Sequence, residues 1–523
     1  MTGTWSLVRL ILRRDRFLLP PWVMVIAVLP VVQTSGIAEL YTDEAALRRF
    51  AASMGSAPAF SALYGPVLHW NAAAMGVWRA GFTPVVLALA VILTVVRHTR
   101  AEEETGRREL LGAAVLGRRA ALSAALIVAG TACLAVGLIV TLSFRAYPAP
   151  GALATGLGYA CVGMVFAAVA AVAAQLTESA GGARAIAISV LGLAFALRMA
   201  GDTGGTGWLS WSSPIAWGQR MRPFAGEEWW PLGLFAALVI TLCALSYALA
   251  GRRDLGAGLL PPRLGPADAA PGLATPLALA WRLHRGSLAG WSAAVAFGGA
   301  VVGATAQAAS GALGQNRQAL EMLARLGGGA GVGQALIASV VSILGIAVSG
   351  YAIQAASRMR TEETLMRAEP LLCAAVSRRR WTASHLVFAF GGPVVVLAVL
   401  GLSAGIAYGA VTGDPGAHVP EVLGAALVQL PAVWTLSALV MALFGLLPRL
   451  LPLAWAVLAA FLVFGQVGAL LDLPGALVDL SPFSHLPRLP GGEVTATPLI
   501  TLVAIAAALT AAGLYGFRRR DIG

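Results

Sequence analysis

The chain has 523 residues, of which 58% are hydrophobic and 11% charged, whereas a soluble chain carries about 25% charged residues. With a mean hydropathy of +0.79 and repeated apolar runs of about 20 residues, these proportions exclude an ordinary soluble domain and a β-barrel, whose signal is short alternation. All 36 basic residues are Arg, so the chain has no Gly-Lys-Ser/Thr phosphate loop and no Schiff-base amine, and the net charge of +12 reads as membrane topology rather than as a nucleic-acid footprint.

In chain order, WSLVRLILRRDRFLLP (residues 5–20) mixes Arg with Trp, Leu and Ile and predicts an amphipathic interfacial helix. The apolar runs then predict twelve spans: 18–37, 80–97, 120–143, 152–176, 184–201 and 231–250, followed by 287–309, 331–355, 383–408, 422–446, 451–471 and 496–516. With both termini in the cytoplasm, 26 Arg fall inside, 9 outside and Arg198 within a span, the bias that the positive-inside rule requires. No A-x-A-like cleavage site follows the first apolar run, so no removable leader is expected.

The chain repeats itself. RAEEETGRRELLGAAVLGRR (100–119) returns as RTEETLMRAEPLLCAAVSRR (360–379), with nine ungapped identities. Arg13, Arg16 and Trp22 recur as Arg282, Arg285 and Trp291; Arg253-Asp254-Leu255-Gly256 recurs as Arg520-Asp521-Ile522-Gly523. The expected fold is therefore an all-α polytopic membrane protein built of two six-span halves, 1–257 and 273–523. A Pro/Gly-rich cytoplasmic linker, 258–272, joins them. Six is even, so the halves share one orientation and form a parallel repeat.

The repeated stretch lies between spans two and three, on the cytoplasmic side. Glu103/Arg107 and Glu104/Arg108 are i,i+4 pairs in the favourable order, and acids in the first turn suit the helix dipole. The pattern predicts a helix over 100–119 lying across the membrane face, with a break at Pro370 in the second copy. A solvated loop that merely enforces topology is the plain alternative. Topology needs only Arg, however, and Glu102, Glu103 and Glu109 also recur, as Glu362, Glu363 and Glu369. A twofold-symmetric docking surface would need them twice.

Arg198 sits in a short fifth span with Asp202 at i+4. An ionisable residue at membrane depth is a functional candidate with its partner, so the two form a candidate outer gate. The alternative is an interfacial ion pair. Residues 207–230 hold five Trp and predict a re-entrant hairpin or outer cap, as lid or as interface anchor. EAALRRFAAS in loop 38–78 and NRQALEMLAR in loop 310–330 predict short outer helices. Cys133, Cys161, Cys243 and Cys373 form no CxxC, and the six His show no metal-ligand spacing, so no metal, disulfide framework or catalytic site is expected.

Acids, then Gly-x-x-Glu-Leu-Leu, then a short apolar stretch and Arg-Arg, resembles the cytoplasmic coupling loop of type-2 ATP-binding-cassette exporter permeases. AAVSRRRW and the closing FRRRDIG are similar to the same proteins. GRRDLGAGLLPPRLGP, QLTESAGGARA, LRMAGD and WSSPIAWGQRMRPFAGEEWWPL, taken in order, resemble the fused double-length actinobacterial polyketide-antibiotic or multidrug exporters.

This resemblance implies a permease without a catalytic site of its own, with ATP and Mg bound by a separate ATPase subunit. Two copies of that subunit would dock, one on Glu102, Glu103, Arg107, Glu109 and Arg118, the other on Glu362, Glu363, Arg367, Glu369 and Arg378. The second loop lacks Gly106 and gains Pro370, so the two contacts need not be equal. The implied task is export of a hydrophobic or amphipathic compound from the bacterial cytoplasm, by a path between the halves. A proton-coupled major-facilitator transporter also has two parallel six-span halves and is the alternative, but the Gly-x-x-x-Asp-Arg before GRREL is missing. A receptor or immunity protein that binds an ATPase without transporting is a third class.

Overall fold

The computed structural model describes residues 2–41, 43–55, 58–107, 116–203, 207–260, 267–268, 270–313, 332–374, 376–466, 474–487, 489 and 495–521. Its contacts divide the chain into a first unit, Met1–Gly265, and a second, Pro266–Gly523, the boundary falling within residues 258–272. All the regular structure among the described residues is helical, and eleven stretches are long and apolar enough to cross a membrane. The chain is an all-α polytopic membrane protein.

The first unit runs α1 (Thr4–Arg14), α2 (Leu19–Leu40), α3 (Glu44–Gly55), α4 (Pro58–Tyr64), α5 (Ala72–Arg79), α6 (Thr83–His98), α7 (Arg100–Glu104), α8 (Ala120–Ser143), α9 (Ala149–Leu176), α10 (Ala180–Thr203), α11 (Gly207–Trp211), α12 (Pro214–Arg220) and α13 (Pro231–Arg252). α1 is amphipathic as expected: Thr4, Leu7, Val8 and Ile11 are buried, the last three with Ala120, Ala124 and Val128 of α8, while Trp5, Leu10 and Leu12 stay exposed. Pro20 and Pro21, at the start of α2, separate it from α1, because a proline has no amide hydrogen for a continuous helix.

α9 is the buried axis of this unit. Ala154, Ala160, Ala168, Ala171 and Ala174 lie on it at 1% exposure or less. Gly137 of α8 and Gly156 of α9 let the two backbones meet: a Cβ added at Gly137 would stand 2.6 Å from the Gly156 carbonyl oxygen. In lipid, where apolar side chains gain nothing by leaving the solvent, such close approach of small residues is what joins helices. α13 is apolar and largely exposed, as a lipid-facing helix is.

The second unit runs α14 (Pro276–Leu313), α15 (Val332–Thr364), α16 (Ala368–Cys373), α17 (Arg378–Thr412), α18 (Pro415–Leu427), α19 (Leu430–Leu446), α20 (Leu453–Gln466), α21 (Gly475–Val478) and α22 (Ala496–Arg519). Its core gathers Tyr351, Met359, Trp381, Leu397, Leu436, Phe444 and Phe517.

Three features depart from the expected repeat. The interfacial helix and the first span of this unit are one continuous helix, α14, because Ala289 and Gly290 stand where the first unit has Pro20 and Pro21. The fourth span is interrupted at Val428–Gln429, where Gln429 is buried and its amide bonds the Ala426 carbonyl at 3.2 Å. The expected span 451–471 is helical over the 14 residues of α20, about 21 Å at 1.5 Å per residue, and residues 467–473 lie outside the described residues. So does the expected helix in 310–330; the helix expected in loop 38–78 is α3.

Candidate functional site

The loop after the second span is built by bending, then stopping, a helix. Thr99 (φ −117°, ψ −83°) bends α6 into the single turn α7, and its hydroxyl donates back to the Val95 carbonyl at 2.7 Å. Thr105 closes the turn with a bond to the Ala101 carbonyl, and Gly106, at φ 70°, turns the chain away. The helix expected over 100–119 therefore ends at Glu104: a left-handed residue cannot continue it. Residues 108–115, Glu109 among them, lie outside the described residues.

The second loop stops at the equivalent place. α15 ends at Thr364, and Met366, which matches Gly106 in the repeat, takes φ 58°. The expected break at Pro370 is corrected: Pro370 lies in the first turn of α16, where a missing amide hydrogen costs no helical bond.

The recurring acids have two different surroundings. Glu103 is buried, its side chain 1% exposed. Arg100 meets it at 2.6 Å, and Arg253, just past α13, grips both its oxygens at 2.8 and 3.0 Å. Burial pushes the Arg253 guanidinium below its usual value, and the one carboxylate offsets part of the charge of the two guanidiniums. Arg118 donates to the Arg253 carbonyl at 2.6 Å. The second unit reproduces this. Glu363 receives Arg360 at 2.9 Å and Arg520 at 2.8 Å, and Arg378 donates to the Arg520 carbonyl at 2.7 Å.

Glu102 is half-buried, and Glu362 is buried. Glu102 pairs with Arg14 of α1 and lies 3.6 Å from Arg107; Glu362 pairs with Arg358 at 2.9 Å. Arg107 and Arg367 are exposed, as are Leu365 and Met366, and Glu369 is half-buried in α16. Glu103 and Glu363 thus brace the loops from within, and Arg107 and Arg367 are among the exposed charges of the described loop residues. Glu104 accepts the Ala180 amide at 2.9 Å, at the N-terminus of α10; its expected partner, Arg108, lies outside the described residues.

Residues 273–518 match the family described as the multidrug efflux system permease Rv1217c, C-terminal domain. The chain is also 46% identical, over 524 aligned residues, to the multidrug efflux system permease protein Rv1217c of Mycobacterium tuberculosis (strain ATCC 25618 / H37Rv). That alignment covers 100% of this chain and 95% of the relative. The chain belongs to the multidrug efflux system permease family.

In this permease Arg198 and Asp202 share a neighbourhood but not a bond. Arg198, fully buried, donates to the carbonyls of Ala62 and Leu63 at 2.6 and 2.7 Å and to Gln219 at 3.4 Å, with its guanidinium over the Phe195 ring. It caps the C-terminal end of α4, where unpaired carbonyls favour a cation. Asp202 accepts from Ser210 at 2.6 Å and lies 3.7 Å from Arg220. The expected direct pair is replaced by these partners because α4 brings carbonyls to Arg198 that the i+4 spacing does not reveal. Asp472, its counterpart in the second half, lies outside the described residues. The Trp-rich segment forms the hairpin α11–α12, packed on α9 and α10, with Ile215 and Ala216 buried and Gln219 bonded to the Tyr64 carbonyl at 2.7 Å.

Sequence reasoning missed Arg253 and Arg520 as loop partners. The signal was present: Arg100, Glu103 and Arg253 recur in register as Arg360, Glu363 and Arg520. It also missed Asp15, buried against His98 at 2.5 Å and Arg97 at 3.1 Å, and the His284–His385 contact at 3.1 Å in the second unit. No group of acids, His and Cys able to hold a metal occurs among the described residues.

Proposed function

We propose that this permease is the membrane subunit of an ATP-driven exporter of hydrophobic or amphipathic compounds, antibiotics and other drugs among them. It lies in the bacterial cytoplasmic membrane with both termini inside, and a separate ATPase subunit docks on each of the two loops, carrying ATP and Mg. The relative's name supports efflux of multiple drugs. The observation that carries the coupling reading is the duplicated brace. In each unit the loop after the second span is locked, through one buried carboxylate, to the arginine that follows the sixth (Glu103 with Arg253, Glu363 with Arg520). A push on the loop tip is then transmitted to two spans rather than absorbed by a slack connection. Arg107 and Arg367, both exposed, are the contact charges.

The test is purification of the tagged chain from its native membrane in mild detergent. A P-loop ATPase is expected at two copies per chain, and Arg107→Glu with Arg367→Glu is expected to release it while leaving the permease folded. Transport in proteoliposomes that follows a proton gradient, with no ATPase copurifying, overturns the reading in favour of a secondary transporter.

A further inference from the structure

A cavity of about 270 Å³ opens beside the α11–α12 hairpin, walled by Pro66, Leu68, Asp202, Trp211, Arg220 and Arg222. Asp202 enters it from the end of α10 with a side chain only 2% exposed. One carboxylate oxygen accepts from Ser210; the other, also buried, has no hydrogen-bond partner. A buried acceptor left unmade costs about 1–3 kcal/mol, and a donor brought to that oxygen would recover it.

Arg220 lies over the Trp211 ring, 4.9 Å from its centroid, and its nearest acidic oxygen, on Asp202, is 3.7 Å away, beyond hydrogen-bond reach. Its fork of donors is unspent. Arg222 is exposed and touches Glu228 at 3.3 Å; Glu228 is also engaged by the Trp230 indole at 3.1 Å, and these two bonds lower the Glu228 carboxyl below its usual range. Arg198, behind the wall, spends its donors on Ala62, Leu63 and Gln219 and adds only charge. Two guanidiniums and two carboxylates line the cavity; Glu228 offsets Arg222, and Arg220, with no hydrogen bond to Asp202, is the donor left for a ligand. Pro66 and the exposed Leu68 supply an apolar flank. Ligand sites of this kind combine an apolar wall with a few convergent polar groups.

We propose that this cavity binds the anionic head of an amphiphile. A carboxylate or phosphate seats on Arg220 and Arg222, the apolar body lies along Pro66 and Leu68, and a hydroxyl is donated to Asp202. A planar guanidinium fork suits either oxyanion. The site stands whether or not ATP drives transport.

The permease in nanodiscs of phosphatidylcholine is titrated with 11-bromoundecanoate and, separately, with the matching 11-bromoundecyl trimethylammonium, following bromine quenching of tryptophan. Saturable quenching by the carboxylate alone is expected. Arg222→Gln, a change at an exposed residue that the fold tolerates, should weaken it about tenfold, the loss of one charge-assisted contact. Arg220→Gln with Arg222→Gln should abolish it. Trp211→Phe should reduce its amplitude without moving its midpoint. Adding phosphatidylglycerol distinguishes two sources of the same head group: competition identifies a lipid, and an unmoved midpoint a free amphiphile, and both uphold the site. Saturation by the cation instead, lost in Asp202→Asn, overturns the proposal. So does carboxylate quenching that is linear or indifferent to Arg222→Gln.

Discussion

Arg253 holds Glu103 with both of its terminal nitrogens, at 2.8 and 3.0 Å, across 150 residues of chain. Glu103 is the carboxylate shared by Arg253 and Arg100, and each side chain of the three is 7% exposed or less. Removing one member of such a group leaves an uncompensated buried charge, a loss of about 3–5 kcal/mol. Glu103→Ala is therefore expected to cost more than Arg253→Ala, because it strands two guanidiniums rather than freeing one carboxylate that Arg100 still neutralises. Thermal unfolding of the purified variants in one lipid nanodisc checks the order. Equal losses would mean that Arg100 does not share the charge. In the second unit Arg520 is 19% exposed, and Arg520→Ala should cost less than Arg253→Ala.

Arg198 makes a second prediction, about a loop rather than a gate. With two of its bonds on the carbonyls of Ala62 and Leu63, it fastens α4 to α10. Arg198→Met keeps most of the apolar stem and loses the donors. Faster amide hydrogen exchange is expected across α4, with α9 unchanged, and a loss of about 2–5 kcal/mol for unpaired buried carbonyls. If exchange in α4 does not change, the residue does not hold that helix.

The spans and the duplication were legible in the sequence because each is written locally: an apolar run of span length, or a string that returns in register. The braces were not, since Glu103 and Arg253 lie on opposite sides of four spans and nothing at short range links them. Spacing pointed Glu103 toward Arg107 and Glu104 toward Arg108. The fold gives Glu103 to Arg253, because a buried donor outcompetes an exposed i+4 neighbour that water already satisfies; Glu104 also takes the first turn of α10, and Arg108 lies outside the described residues. The same holds for Arg198, whose acceptors are backbone carbonyls and carry no mark in the sequence. The unbroken α14 was legible from Ala289 and Gly290 standing in place of two prolines, but only once the halves are aligned at Trp22 and Trp291.

The α8–α9 contact supplies a paired test of close packing. A Cβ at Gly156 would stand 2.1 Å from the Thr141 hydroxyl and 2.3 Å from the Gly137 carbonyl, whereas one at Gly130, also on α8, meets nothing within 4 Å. Gly156→Ala should therefore force the helices apart and cost about 1–3 kcal/mol. Gly130→Ala should be neutral or stabilising by up to about 1 kcal/mol, through lower backbone entropy in the unfolded chain. Thermal midpoints of the two variants in the same nanodisc decide it, and a destabilised Gly130→Ala would count against the packing argument.

The two loop stops differ at the left-handed position, Gly106 in one and Met366 in the other, and that residue sets their relative strain. Gly106 at φ 70° and Met366 at φ 58° occupy equivalent places, but only glycine reaches that region freely; for other L-residues the left-handed conformation costs about 1–2 kcal/mol. Met366 is 58% exposed, so replacing it loses little packing. Met366→Gly is expected to raise stability by about 0.5–1 kcal/mol, the relief of strain less the added entropy of an unfolded glycine. Gly106→Ala, with open space around its Cβ, should lower stability by about 1 kcal/mol. The opposite signs at matched positions isolate backbone conformation from side-chain contacts. If both variants destabilise, Met366 makes a contact at the loop tip worth more than its strain, and the tip of the second loop then depends on that side chain as the first does not.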